Sequence, residues 1–139
     1  MIRKMLIAND GSKGGQAALA AALDLAKRLD VGLTMICVEE LPRFPASIDE
    51  VDEAEREAGG VFDKVVAAAK AKAQAQGAPF EAQIVAGHPV SSIVEFVQRG
   101  GYDLLVVGYM GHSALYNRII GSTTDRLVEL APCKVLVVK

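Results

Sequence analysis

The chain has little of what usually marks a protein's chemistry. Of its 139 residues only two are cysteines, Cys37 and Cys133. They lie far apart, each beside a strand-like apolar run, and buried free thiols are the expectation. There is no Cys-x-x-Cys, and the two histidines, His88 and His112, lack metal-ligand spacing, so a structural zinc site is not expected. Neither sign of charge dominates. A net charge of -2 and a pI of about 5.7 provide no global field for nucleic acid or an anionic membrane. No apolar run approaches the ~20 residues of a spanning helix. The N-terminal Met-Ile-Arg-Lys-Met-Leu-Ile lacks the longer apolar region and cleavage site of a secretory signal. These absences lead to the expectation of a cytoplasmic protein that engages neither nucleic acid nor membrane. Gly-Lys-Ser/Thr occurs nowhere, so there is no Walker A loop. No Gly-x-Gly-x-x-Gly follows the first strand, which disfavours dinucleotide binding. Without internal repeats, low-complexity tracts or linkers, residues 1–139 read as one domain.

What is there is a regular alternation. Met5 to Asn9 is an apolar run closed by Asp10-Gly11-Ser12, the first strand. Ser12 is a candidate N-cap for an Ala-rich helix from about Lys13 to Asp30, with Leu19, Ala22, Leu23, Ala26 and Leu29 at helical spacing. Leu33 to Val38 is the second strand. Pro42 and Pro45 place a loop at Glu39 to Ser47. The acid-dense Asp49 to Glu57 reads as a solvated helical face rather than a metal site. The second helix continues to about Gln76 on a stripe that includes Val61, Phe62, Val65 and Ala69. Gly59-Gly60 costs roughly 1 kcal/mol per glycine against alanine and predicts a bend or a late helix start. Phe80 to Ala86 is the third strand. Gly87-His88-Pro89 turns into a third helix with Val90, Ile93, Val94 and Val97 on one face, proline being tolerated at a helix start. Asp103 to Val107 is the fourth strand, Thr123 to Ala131 the fourth helix, stopped by Pro132, and Lys134 to Lys139 the fifth strand. Strands separated by helices imply right-handed crossovers, hence a parallel, doubly wound, Rossmann-like α/β sheet with helices on both faces. The runs that carry this reading are short and apolar, and at 51% hydrophobic residues the chain can bury a sizeable core.

The chain is organised around Gly108 to Ser122. Two glycines, Gly108 and Gly111, sit at a strand's carboxyl end, and Gly121-Ser122 opens a helix. Glycine lets backbone approach a ligand closely, and a helix N-terminus presents unpaired N–H groups and partial positive charge. Strand, glycine loop and helix start together make an anion cradle.

The spacing Gly108-x2-Gly111-x9-Gly121-Ser122 resembles the nucleotide-binding signature of the universal stress proteins. Asn9-Asp10-Gly11-Ser12 resembles that family's first-strand exit, Gly87-His88-Pro89 its turn before the third helix, and Ala131 to Val138 its terminal strand. The resemblance covers essentially the whole chain and implies a five-stranded sheet of order 3-2-1-4-5. Ligands in such sheets bind beyond the carboxyl ends of the strands where the order reverses, here between the first and fourth strands. The resemblance further implies ATP, with or without Mg2+, as the ligand. Asp10 would contact the nucleoside and the backbone of Val38 the adenine. Gly108 would line the ribose region, and Gly111, Gly121, Ser122 and the Thr123 backbone would hold the phosphates. His112 stands where many members carry a basic side chain; it could donate to a phosphate or sit in solvent. Met110, with Tyr109, could flank base or ribose or pack on the sheet. Structural alternatives stand beside these roles. Asp10 could cap the first helix or form an Asx-turn. Ser122 with Asp125 fits a capping box, and Gly121 could only tighten the loop. His88 reads as structural.

The function implied is an ATP-binding regulatory stress-response protein. The alternative is a slow Mg-dependent ATPase, with Asp10 on the metal and His112 assisting at the phosphate. Adenylation is disfavoured because Asn9 to Ser12 is not a pyrophosphatase loop. A phospho-receiver role is disfavoured because the third strand exits at Ala86-Gly87 without an aspartate. Val135-Leu136-Val137-Val138 would be an apolar edge strand, a liability unless covered. The resemblance implies a homodimer through it, with Leu136 and Val138 buried.

Overall fold

The computed structural model describes residues 1–40, 48–110 and 120–139, with the side chains of 48–59 left out. The elements follow in the order β1 (Met5–Ala8), α1 (Lys13–Leu29), β2 (Leu33–Glu40), α2 (Ile48–Ala75), β3 (Phe80–Gly87), α3 (Pro89–Gly100), β4 (Leu104–Gly108), α4 (Ser122–Leu130) and β5 (Lys134–Val138). The strands form one sheet of order β3-β2-β1-β4-β5, every neighbouring pair parallel. The expected strand order and helix alternation are both realised.

Register explains where an opening must form. Met5 is level with Leu33 and Leu104, Leu33 with Phe80, and Leu104 with Lys134, so all strands start in one row. β1 has four residues and β2 has eight. The central strand therefore stops short while its neighbour runs on, leaving a notch above Ala8 at the carboxyl edge.

Each strand alternates its side chains between two cores, as the pleat requires. Met5, Ile7, Leu33, Met35, Cys37, Leu104 and Val106 pack beneath α1 and α2. Leu6, Ile36, Leu105 and Val107 pack with Ile93, Val97 and Leu127 of α3 and α4. The inner strands are apolar on both faces for this reason, the pattern of a parallel sheet covered on both sides.

Four local expectations are corrected. Helix α2 runs unbroken through Gly59 and Gly60, because its Phe62, Val65, Ala69 and Ala73 lie on the core and packing outweighs the weak helix propensity of glycine. Leu29 and Val61, placed on apolar stripes by periodicity, are 41% and 57% exposed. Cys37 is buried as expected, but Cys133 is only half-buried, because β5 is a sheet edge. The Glu39–Ser47 loop also starts later than expected, since β2 continues through Glu40; residues 41–47 lie outside the described residues.

Candidate functional site

At the β1 exit, two consecutive side chains fold back onto the turn. The Asn9 carboxamide oxygen accepts the Gly11 N–H at 2.9 Å, holding Gly11 at φ +81°, where a side chain would be strained. Asp10 Oδ1 accepts the Ser12 N–H at 3.0 Å and also the Ser12 hydroxyl. Ser12 in turn caps α1 by accepting the Gly15 N–H at 3.1 Å. Ser12 is thus the cap, as the sequence suggested; Asp10 forms the expected Asx-turn to Ser12, and Asn9 makes a second one to Gly11. Asp10 is held against the positive end of α1. Gly15 is glycine for space, since a Cβ there would overlap the Asn9 and Asp10 side-chain oxygens.

The β4 exit is fitted against the same helix start. A Cβ on Gly108 would lie 2.6 Å from the Gly14 carbonyl oxygen, and one on Gly14 would overlap the Met110 carbonyl oxygen. The two glycines let α1 and the end of β4 touch backbone to backbone. Gly108 therefore serves packing as well as lining the opening.

Helix α4 begins one residue earlier than its sequence suggests. Gly121 is its N-cap, without a side-chain cap bond, and the Asp125 N–H donates to the Gly121 carbonyl at 2.9 Å. Ser122 is the first helical residue, so the Ser122–Asp125 capping box is not formed. The Gly121 N–H donates to the Tyr109 carbonyl at 2.9 Å and is not offered to a ligand. The N–H groups of Ser122 and Thr123 belong to the first helical turn and have no partner within the helix. Thr124, which sequence reasoning passed over, is buried and donates its hydroxyl to the Gly108 carbonyl at 2.6 Å.

These pieces enclose a cavity of about 530 Å³ over the notch, within the range usual for small-ligand sites. Of the nine residues singled out from sequence, Asp10, Val38, Gly108, Met110, Gly121, Ser122 and Thr123 line it. Gly111 and His112 lie outside the described residues. Asn9, Glu40, Phe62, Ile93, Thr124 and Leu127 also line it and were not foreseen as site residues. Asn9 and Thr124 adjoin residues that were singled out, so adjacency was their one signal. Phe62 reaches the cavity only because α2 crosses the sheet above the notch, which periodicity does not report. His88 caps α3 through its backbone and is exposed.

Val38 has a particular position. In a parallel strand successive peptide groups turn to opposite neighbours. The Ile36 carbonyl accepts the Asn9 N–H at 3.1 Å, so the peptide groups of Val38, two residues on, turn to the same side, beyond the end of β1. They face the notch.

Among the described lining residues the charged ones are Asp10 and Glu40. Beneath them the Cys37 thiol is pushed up to about 12, first by burial and then by the Asp10 charge; it stays protonated and unreactive at neutral pH. Among the described residues no cluster of three or more His, Cys, Asp or Glu could hold a metal ion, and no helix is long and apolar enough to cross a membrane. The arrangement can take an anion at the α4 start, accept hydrogen bonds at Asp10, and receive a flat apolar group between Val38 and the Ile93–Leu127 wall.

Comparison with known proteins agrees with this geometry. The model of the universal stress protein family matches residues 1–139. Universal stress protein YxiE of Bacillus subtilis is 32% identical, with the whole of both chains covered. Universal stress protein UspA from Lactobacillus plantarum superposes with a TM-score of 0.86 at 22% identity, covering 99% of this chain and 98% of that one. A universal stress protein solved in complex with cAMP superposes with a TM-score of 0.76 at 27% identity, covering 99% of this chain and 97% of the other.

Proposed function

Because this chain belongs to the universal stress protein family, we propose that it binds an adenine nucleotide, ATP foremost, as a regulatory ligand in a stress response. The observation that carries this reading is the convergence at one cavity of the β1 exit, the β4 exit and the α4 N-terminus. The cAMP complex of a 27% identical relative supports the adenine class. The adenine lies between the Val38 peptide groups and the apolar wall. Asp10, held by Ser12, accepts from the ribose hydroxyls. The Ser122 and Thr123 N–H groups, with the Ser122 hydroxyl, receive phosphate oxygens, which the α4 dipole favours. Gly108 and Met110 line the intervening surface, and Gly111 and His112 complete the phosphate loop.

When Mg2+ accompanies the nucleotide it neutralises phosphate charge that would otherwise face Asp10 and Glu40. The nucleotide biases this protein's conformation and partner surface rather than being rapidly turned over. The protein acts in the cytoplasm as a homodimer paired along β5, whose Leu136 is 38% exposed at the sheet edge.

The test is mass spectrometry of nucleotide released by denaturing freshly purified protein, with Gly121→Asp as control. Wild type is expected to release ATP or ADP, and the variant none, because its carboxylate would face the phosphates. A wild type that is empty and ignores added Mg-ATP, AMP and cAMP at millimolar concentration would overturn the reading.

A further inference from the structure

We infer that Thr124 is the positioning residue of the phosphate cradle, a role that rests on the nucleotide-binding reading above. Residues 109–121 separate the β4 exit from the start of α4, a span too long to fix the helix start by covalent geometry alone. Two bonds across its base do so instead. The Gly121 N–H donates to the Tyr109 carbonyl at 2.9 Å, and the Thr124 hydroxyl donates to the Gly108 carbonyl at 2.6 Å across 16 residues.

Thr124 stands in the third helical position of α4, directly after Ser122 and Thr123. It is 7% exposed, so water competes little for its hydroxyl. Its bond sets the distance from the β4 lip to the first turn of α4, and with it the aim of the Ser122 and Thr123 N–H groups. It has a second effect. Gly108 lines the cavity, and an unpaired carbonyl oxygen there would oppose an anion. The Thr124 hydroxyl occupies that oxygen.

The nucleoside end of the cavity takes its polar groups from β1 and β2, and α4 adds to it only the apolar Leu127, so both effects fall chiefly on the phosphates. The consequence is a dependence on phosphate content. Thr124→Val keeps the shape and the buried methyl but removes the donor. It should weaken ATP binding by about tenfold, ADP and AMP progressively less, and adenosine by less than about twofold. Thr124→Ser keeps the donor and should restore ATP affinity.

Isothermal titration of ATP, ADP, AMP and adenosine into wild type, Thr124→Val, Thr124→Ala and Thr124→Ser, with thermal unfolding of each, tests this. A loss that grows with phosphate number in the Val and Ala variants, and is rescued by Ser, is the expected result. Equal loss for ATP and adenosine, or an unchanged ATP affinity in Thr124→Val, would overturn the role while leaving the nucleotide reading standing. Failure of both Val and Ala variants to fold would also overturn it, making Thr124 a support of the fold. A wild type that binds none of the four ligands would remove the nucleotide reading itself and this role with it.

Discussion

Glycines of one chain carry opposite signs of substitution, and neighbours decide which. Gly14 and Gly108 sit where α1 and the β4 exit meet backbone to backbone. An added methyl must displace main chain, not a flexible side-chain end. Gly14→Ala is expected to destabilise by about 2 kcal/mol or more, as an overpacked site does. Gly60 lies inside α2 with nothing within 4 Å of an added Cβ. Gly60→Ala therefore brings alanine's helix preference without a clash and should stabilise by about 0.5–1 kcal/mol. Urea unfolding of the two variants checks both signs; a neutral Gly14→Ala would mean that the contact relaxes freely. Sequence reading marked Gly108 for its ligand but missed Gly14, because the partner that makes Gly14 necessary is almost a hundred residues away.

At the scale of elements, the sheet is fastened at the end away from the cavity. The Asp103 carboxylate, just before β4, accepts the Arg3 and Lys4 N–H groups at 2.8 and 3.0 Å. Its own N–H donates to the Lys4 carbonyl at 3.0 Å. Lys4 Nζ donates to the Gly100 carbonyl at 2.6 Å and lies 4.7 Å from the centre of the Tyr102 ring. The Lys4 and then the Arg3 N–H bonds hold the Asp103 carboxyl below its ordinary 3.8. The folded state thus favours the ionised form. The stabilisation is complete above pH 3.8 and fades as pH falls through the lower folded value. Asp103→Ala should therefore be less stable than wild type at neutral pH, with the difference shrinking as pH falls below 3.8. Paired thermal melts across that range would show it, and a constant difference would reject the carboxylate as its source.

At the scale of the whole molecule, the two sheet edges differ. β5 ends the sheet beside β4, and its exposed Leu136 lies near Val128 and Leu130 of α4 in the chain, each about half exposed. Isolated apolar edges of this kind favour pairing with another strand. Light scattering at micromolar concentration is expected to return twice the mass of one chain, and Leu136→Lys a single one. A wild type that runs as a monomer would contradict the β5 interface. The Tyr109 N–H donates to the Val138 carbonyl at 2.8 Å, so the same edge strand is tied directly to the start of the glycine loop.

The order of elements and the buried central strands were legible in the chain, because each rests on local periodicity or on turn residues acting over a few positions. Asp10 and Gly108 could be joined at one site from sequence because the sheet order brings their strands side by side. What no local pattern carries is distance between remote segments. The notch over Ala8 depends on β2 outrunning β1 in register. The role of Thr124 depends on a carbonyl that α4 meets only after the chain has folded. The unbroken α2 reflects core contacts that outweigh two glycines. Local preferences are worth tenths of a kcal/mol per residue to about one, and where tertiary packing opposes them, packing decides.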